Sequence, residues 1–96
     1  RAIYKMEVSE SAILDFLLDR LVRAVLYYDT EDGQSDIDSR VVSFVSDNYK
    51  SAYRLQAAGR SEEEKLYLRL LLVTDYICGM TDSYAKRLYQ EMNGII

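Results

Sequence analysis

Ser61-Glu62-Glu63-Glu64-Lys65-Leu66-Tyr67-Leu68-Arg69-Leu70-Leu71-Leu72-Val73 is the stretch whose reading decides the fold. Its first four residues form a helix start. The Ser61 hydroxyl suits acceptance from the backbone three residues on, and Glu64 suits a reach back to the Ser61 amide. Three acids then sit at the positive end of the helix dipole. From Leu66 to Val73 only Arg69 breaks an apolar run, and a helix apolar nearly all round is buried on most sides. The pattern predicts a central helix over 62–78 that ends near Gly79.

The same reasoning extends in both directions. Upstream, a first helix starts near Ser9 or Ser11 and runs to about Tyr28, with Leu14, Leu17, Leu18, Leu21 and Val25 as its apolar stripe. Asp15, Asp19 and Arg23 lie on another face, the last two an acid-first pair four residues apart. Residues 1–8 either extend this helix or fray. Asp29 to Asp36 is polar, acidic and glycine-containing. It faintly resembles a calcium loop, lacks the spacing of one, and reads as a solvated connector. Ser35 and Asp38 resemble a capping box, opening a short helix with Ile37, Val41, Phe44 and Val45 inward. Ser46-Asp47-Asn48 is a break or second cap. The helix after it turns Tyr49, Ala52, Tyr53 and Ala57 inward and stops at Gly59. Downstream, Thr81 caps a last helix with Tyr84, Ala85, Leu88, Tyr89 and Met92 inside; Gly94 stops it and Ile95-Ile96 is a loose tail. The expected fold is all-α: about five helices in a small orthogonal bundle.

Composition supports helix and narrows the chemistry. The 96 residues include no proline and only four glycines. A domain of this length buries only roughly 60–65% of its unfolded surface, so its faces need neighbours. The net charge of -4 makes a poor nucleic-acid binder by charge alone. No run of apolar residues is long enough to span a membrane. Arg1 in place of an initiating Met leads us to expect a piece of a longer chain. The sequence contains no histidine, which excludes Ser-His-Asp and Cys-His nucleophile systems and any histidine-ligated metal within this chain. Its one cysteine, Cys78, has no internal disulfide partner.

The acids are accounted for by caps and solvated faces: Glu62, Glu63 and Glu64 start a helix, and nothing converges on Asp15 and Asp19. No Gly-rich phosphate loop is present. Asp75 and Tyr76 stand on the otherwise buried helix, where an acid must find partners. On physical grounds, 74–85 is a structural corner: Gly79 turns, Met80 plugs a gap and Thr81 caps. Arg69 is read as snorkelling, paired with Asp75, or facing a subunit boundary.

The run Asp75-Tyr76-Ile77-Cys78-Gly79-Met80-Thr81-Asp82-Ser83-Tyr84-Ala85 resembles the C-terminal signature of the dGTP triphosphohydrolase family, within the HD-domain phosphohydrolases. Arg69-Leu70-Leu71 before it, and Ser39-Arg40 with a helix ending in Ala52-Tyr53, fit the same layout. The resemblance is strong over 66–92, moderate over 37–57 and weak before residue 36. It implies that residues 1–96 form the C-terminal helical segment of a larger HD-type enzyme, on whose remainder the bundle packs. Such enzymes cleave a deoxynucleoside triphosphate to the deoxynucleoside and triphosphate, using a divalent metal such as Mg or Mn held by histidines and aspartates far upstream. The segment itself would hold no metal or catalytic residue and would be inactive alone.

Further expectations follow from that resemblance. Arg40 matches a position that reaches the nucleotide, where a guanidinium fork can grip phosphate or the guanine edge. Read from the residues alone, Arg40 is instead a first-turn surface arginine paired with Asp36 or Asp38. A second basic residue expected upstream has no counterpart, because the acidic 29–36 loop stands there. Asp75, Tyr76, Gly79, Met80, Thr81, Asp82 and Tyr84 are read as fold and corner residues. The family implies homo-oligomers, hexamers among them, dGTP or another dNTP as substrate, single-stranded DNA as an effector of some members, and a cytoplasmic setting. The competing expectation is a non-catalytic helical module that mediates oligomerisation or regulation in a divergent HD-type protein.

Overall fold

The computed structural model describes residues 9–94. The expectations for residues 1–8 and for Ile95-Ile96 lie outside them. Five helices follow one another: α1 (Glu10–Val25), α2 (Asp36–Ser43), α3 (Asp47–Ala57), α4 (Glu62–Cys78) and α5 (Asp82–Asn93). No strand occurs among the described residues. The fold is therefore an all-α small bundle.

The starts of the helices are written in their caps. The Ser9, Ser35, Ser61 and Thr81 hydroxyls each accept from a backbone amide three residues on. At Ser61 the box is complete, because Glu64 Oε1 also accepts from the Ser61 amide at 3.1 Å. Ser46 starts α3 without such a side-chain bond. The α3 C-terminus turns at Gly59, whose φ of +76° suits glycine because a Cβ is disfavoured there.

α1 and α4 form the centre. α1 packs on α2, α4 and α5, while α3 lies against α4. The core gathers Leu17, Leu21 and Val25 from α1, Val41 and Val42 from α2, Val73 and Tyr76 from α4, and Leu88 and Met92 from α5. Phe16 meets Tyr89 edge-on, with ring centroids 5.0 Å apart, and ties α1 to α5.

Leu17, Leu21, Val25, Val41, Val45, Tyr53, Ala57, Ala85, Leu88 and Met92 are buried as expected, and the faces differ from the expectation at their edges. In α1 the buried line is Ile13, Leu17, Leu21 and Ala24, and Leu14 and Leu18 are exposed. In α2, Val42 is buried and Ile37 is exposed; in α3, Ala52 is exposed; in α5, Tyr84 is largely exposed. α4 buries one face only. Arg69, Leu72, Val73 and Tyr76 are inside, while Tyr67, Leu70 and Asp75 face outward. The cause is common to all: each apolar arc is wider than the neighbour that covers it, and periodicity alone does not say which part is covered.

Candidate functional site

The corner between α4 and α5 is built by three tyrosines from three helices. Tyr76, buried on α4, donates its hydroxyl to the Phe44 carbonyl at 2.9 Å. With that proton committed, the Tyr84 hydroxyl donates to Tyr76 Oη at 2.9 Å. Tyr49 of α3 packs edge-on against Tyr76, with centroids 5.6 Å apart. Burial is the main reason the Tyr76 phenol is pushed far above the ordinary tyrosine range, and the Tyr84 hydroxyl adds to it. Ser46, Tyr49, Gly79, Thr81 and Tyr84 edge a shallow pocket of about 160 Å³ over these rings.

This corner also contacts the end of the helix that carries Arg40. Phe44 is the C-cap of α2, where carbonyls lack helical partners, and Tyr76 supplies one. Arg40 lies one turn earlier, in the last turn of α2 rather than the first, and is exposed. Among the described residues no ion pair joins it to Asp36, Asp38 or any other acid. Its guanidinium is thus presented to solvent on a helix whose end is pinned by Tyr76.

Gly79 does not turn by a left-handed backbone. It continues the right-handed geometry as the C-cap of α4. A Cβ there would lie 2.7 Å from the Tyr49 hydroxyl. The glycine is needed for close approach. Asp75 is exposed and so does not carry the burial cost expected of it. Met80 packs against the core edge, and Thr81 Oγ1 caps α5 at 3.1 Å.

A second polar cluster closes the C-terminus of α1. Arg69 is 3% exposed and donates from Nη2 to the Leu26 carbonyl at 3.1 Å. It places a cation at the negative end of the α1 dipole, and Asp75 is not its partner. Its Nε and Nη1 are buried with no protein partner. Gln34 Nε2 donates to the Ala24 carbonyl at 2.6 Å. Asp29, with φ of +58°, accepts from Tyr53 Oη at 3.0 Å and pairs with Lys65 at 3.3 Å. Burial pushes the Tyr53 phenol up; Arg69 opposes this and Asp29 reinforces it. The hydrogen bond to Asp29 holds the Lys65 ammonium above its usual range.

These contacts were not anticipated from the sequence. Arg69 stood out only as a break in a leucine run, and its acceptor lies 43 residues away. Nothing local marks Tyr49 as the neighbour of Gly79.

No group of three His, Cys, Asp or Glu side chains converges among the described residues. The donor set of the chain, without histidine, does not fit the histidine-and-aspartate metal site that the resemblance implies for the full enzyme. Among the described residues no helix is long and apolar enough to cross a membrane.

The fold and corner thus define a small all-α helical module. The chain matches the phosphohydrolase-associated domain family over residues 4–91 and belongs to it. It is 52% identical, over 99% of its length, to deoxyguanosinetriphosphate triphosphohydrolase-like proteins of Listeria monocytogenes and Listeria innocua. It spans 21% of the length of these curated relatives. No solved structure gives a significant match.

Proposed function

We propose that this chain is the C-terminal segment of a deoxynucleoside triphosphate triphosphohydrolase. The observation that carries the reading is the 52% identity along nearly the whole chain to proteins named for deoxyguanosine triphosphate. In the full enzyme, water attacks the α-phosphorus, the bond to the 5′ oxygen breaks, and deoxynucleoside and triphosphate leave. The metal centre, with a divalent ion such as Mg or Mn as Lewis acid, belongs to the rest of the parent chain.

The segment's part is binding and shape. Arg40 reaches toward the nucleotide, and its exposure and the lack of an ion pair to any acid among the described residues support that role. Tyr76, through the Phe44 carbonyl, holds the Arg40 helix in place. Asp75, Tyr76, Gly79, Met80, Thr81, Asp82 and Tyr84 serve the corner. Homo-oligomeric assembly, a hexamer among the options, response to single-stranded DNA and a cytoplasmic setting belong to the same reading.

Arg40→Ala in the full enzyme tests the binding role. We expect kcat/KM for dGTP to fall by about 1–3 kcal/mol in transition-state terms. Unchanged kinetics would reduce Arg40 to a surface residue. Absence of hydrolysis by the unaltered full-length protein would favour a non-catalytic helical module for oligomerisation or regulation.

A further inference from the structure

α1 carries two apolar stripes, and the bundle covers only one. Ile13, Leu17, Leu21 and Ala24 are buried. Leu14, Leu18, Val22 and Leu26 follow each other at four-residue steps on the next face. Leu14, Leu18 and Leu26 are 40%, 41% and 40% exposed, and Val22 is half-buried. The stripe is about 18 Å long at 1.5 Å per residue.

α4 widens it. The Arg69 bond to the Leu26 carbonyl fixes one end of the α1–α4 pair. At the other end Leu14 and Ile77 line one groove of about 370 Å³. The two helices therefore run antiparallel. Leu70, two turns before Ile77 on the same side of α4, is 37% exposed. The α1 stripe meets α4 where Leu14 and Ile77 share that groove, Leu70 adds exposed apolar surface on the same side of α4, and apolar surface of that extent marks an interaction site.

The occupant follows from two observations. The chain is 21% of the length of its relatives, so the parent polypeptide brings about four times as much further chain to the same molecule. The rim of the face is mostly acidic: Glu10 and Asp82 stand at the groove against one base, Lys86. Asp15 and Asp19 border the stripe on its outer side and are exposed. Arg23 pairs with Asp19 at 3.2 Å, and no ion pair among the described residues involves Asp15. A second copy docked face to face would bring its own acids against these, a like-charge contact that is penalised. We infer that the Leu14–Leu18–Val22–Leu26 and Leu70–Ile77 face docks an apolar, basic-rimmed surface of the remainder of the same parent polypeptide. The inference rests on the proposed reading's placement of the chain as a segment of a longer parent polypeptide, not on its hydrolytic activity.

Thiol labelling of the full-length protein tests it. Cys78 lines the groove with Leu14 and Ile77 and serves as a native probe. Leu18→Cys in a Cys78→Ser background probes the middle of the stripe. In folded protein both thiols should react at least about a hundredfold more slowly than in urea-unfolded protein, as expected for a covered site. Protection should persist on dilution to the monomer. Reaction within about tenfold of the unfolded rate would overturn the inference. Protection that vanishes as copies separate would assign the face to a second copy and overturn it equally. Hydrolysis of dGTP by the same preparations is read separately. An active enzyme with reactive thiols defeats the docking alone, and protected thiols without hydrolysis defeat the functional reading alone.

Discussion

Gly79→Ala isolates the close approach at the corner. Gly79 has φ of −85° and ψ of −1°, a conformation open to alanine, so the backbone is not strained. The cost is spatial. The new Cβ meets the Tyr49 hydroxyl at 2.7 Å, whereas non-bonded heavy atoms prefer about 3.5 Å or more. Moving Tyr49 aside disturbs its edge-on packing against Tyr76, which is hydrogen-bonded to Phe44 and Tyr84. Overpacking of this kind costs about 1–3 kcal/mol. Alanine returns up to about 1 kcal/mol by propensity at a helix end. We expect a net loss of about 1–2 kcal/mol in urea unfolding followed by circular dichroism, with the denaturant slope unchanged. Tyr49→Phe removes the atom that is struck. In that background Gly79→Ala should be neutral or mildly stabilising, giving a coupling of about 1–2 kcal/mol. Equal costs in the two backgrounds would refute the reasoning.

Other expectations concern the caps and the buried groups. Ser61→Ala should destabilise the chain by about 1 kcal/mol in the same assay, through loss of the capping box. The Glu64 carboxyl is held below its ordinary range by the Ser61 amide, so its contribution is present at neutral pH and fades as pH falls through the carboxylate range. A melting series from neutral to acid pH, with and without Glu64→Gln, reads this. Tyr76→Phe should cost about 1–3 kcal/mol, because the Phe44 carbonyl loses its donor. The raised Tyr76 and Tyr53 phenols favour folding only while protonated, so stability should fall as pH rises above about 10. Tyr76→Phe should flatten that fall when unfolding is followed against pH. Arg69→Ala should cost about 2–4 kcal/mol by leaving a cavity and uncapping Leu26; a loss near zero would contradict its role at the end of α1.

The helices were legible in the sequence because their ends are coded locally. Ser61 and Glu64, Thr81, and Gly59 announce themselves within three or four residues. The fold class and the family resemblance at 75–85 followed from such runs. What stayed hidden depends on distance along the chain. α1 shows apolar residues over a wide arc, and only the placement of α2, α4 and α5 decides that Leu17 is inside and Leu18 outside. Asp75 read as buried because its neighbours are apolar, yet it falls on the outer side of α4. The reason for Gly79 is a hydroxyl 30 residues upstream, and the partner of Arg69 is a carbonyl 43 residues upstream. Arg40 was named from a short pattern. The structure leaves it exposed, without the ion pair to Asp36 or Asp38 that the surface reading supposed.

The most direct test of the account is product analysis of the full-length parent protein incubated with dGTP and a divalent metal, followed by phosphorus NMR. The account predicts inorganic triphosphate and deoxyguanosine in equal amounts. Pyrophosphate with the monophosphate, orthophosphate with the diphosphate, or no turnover at all would contradict it.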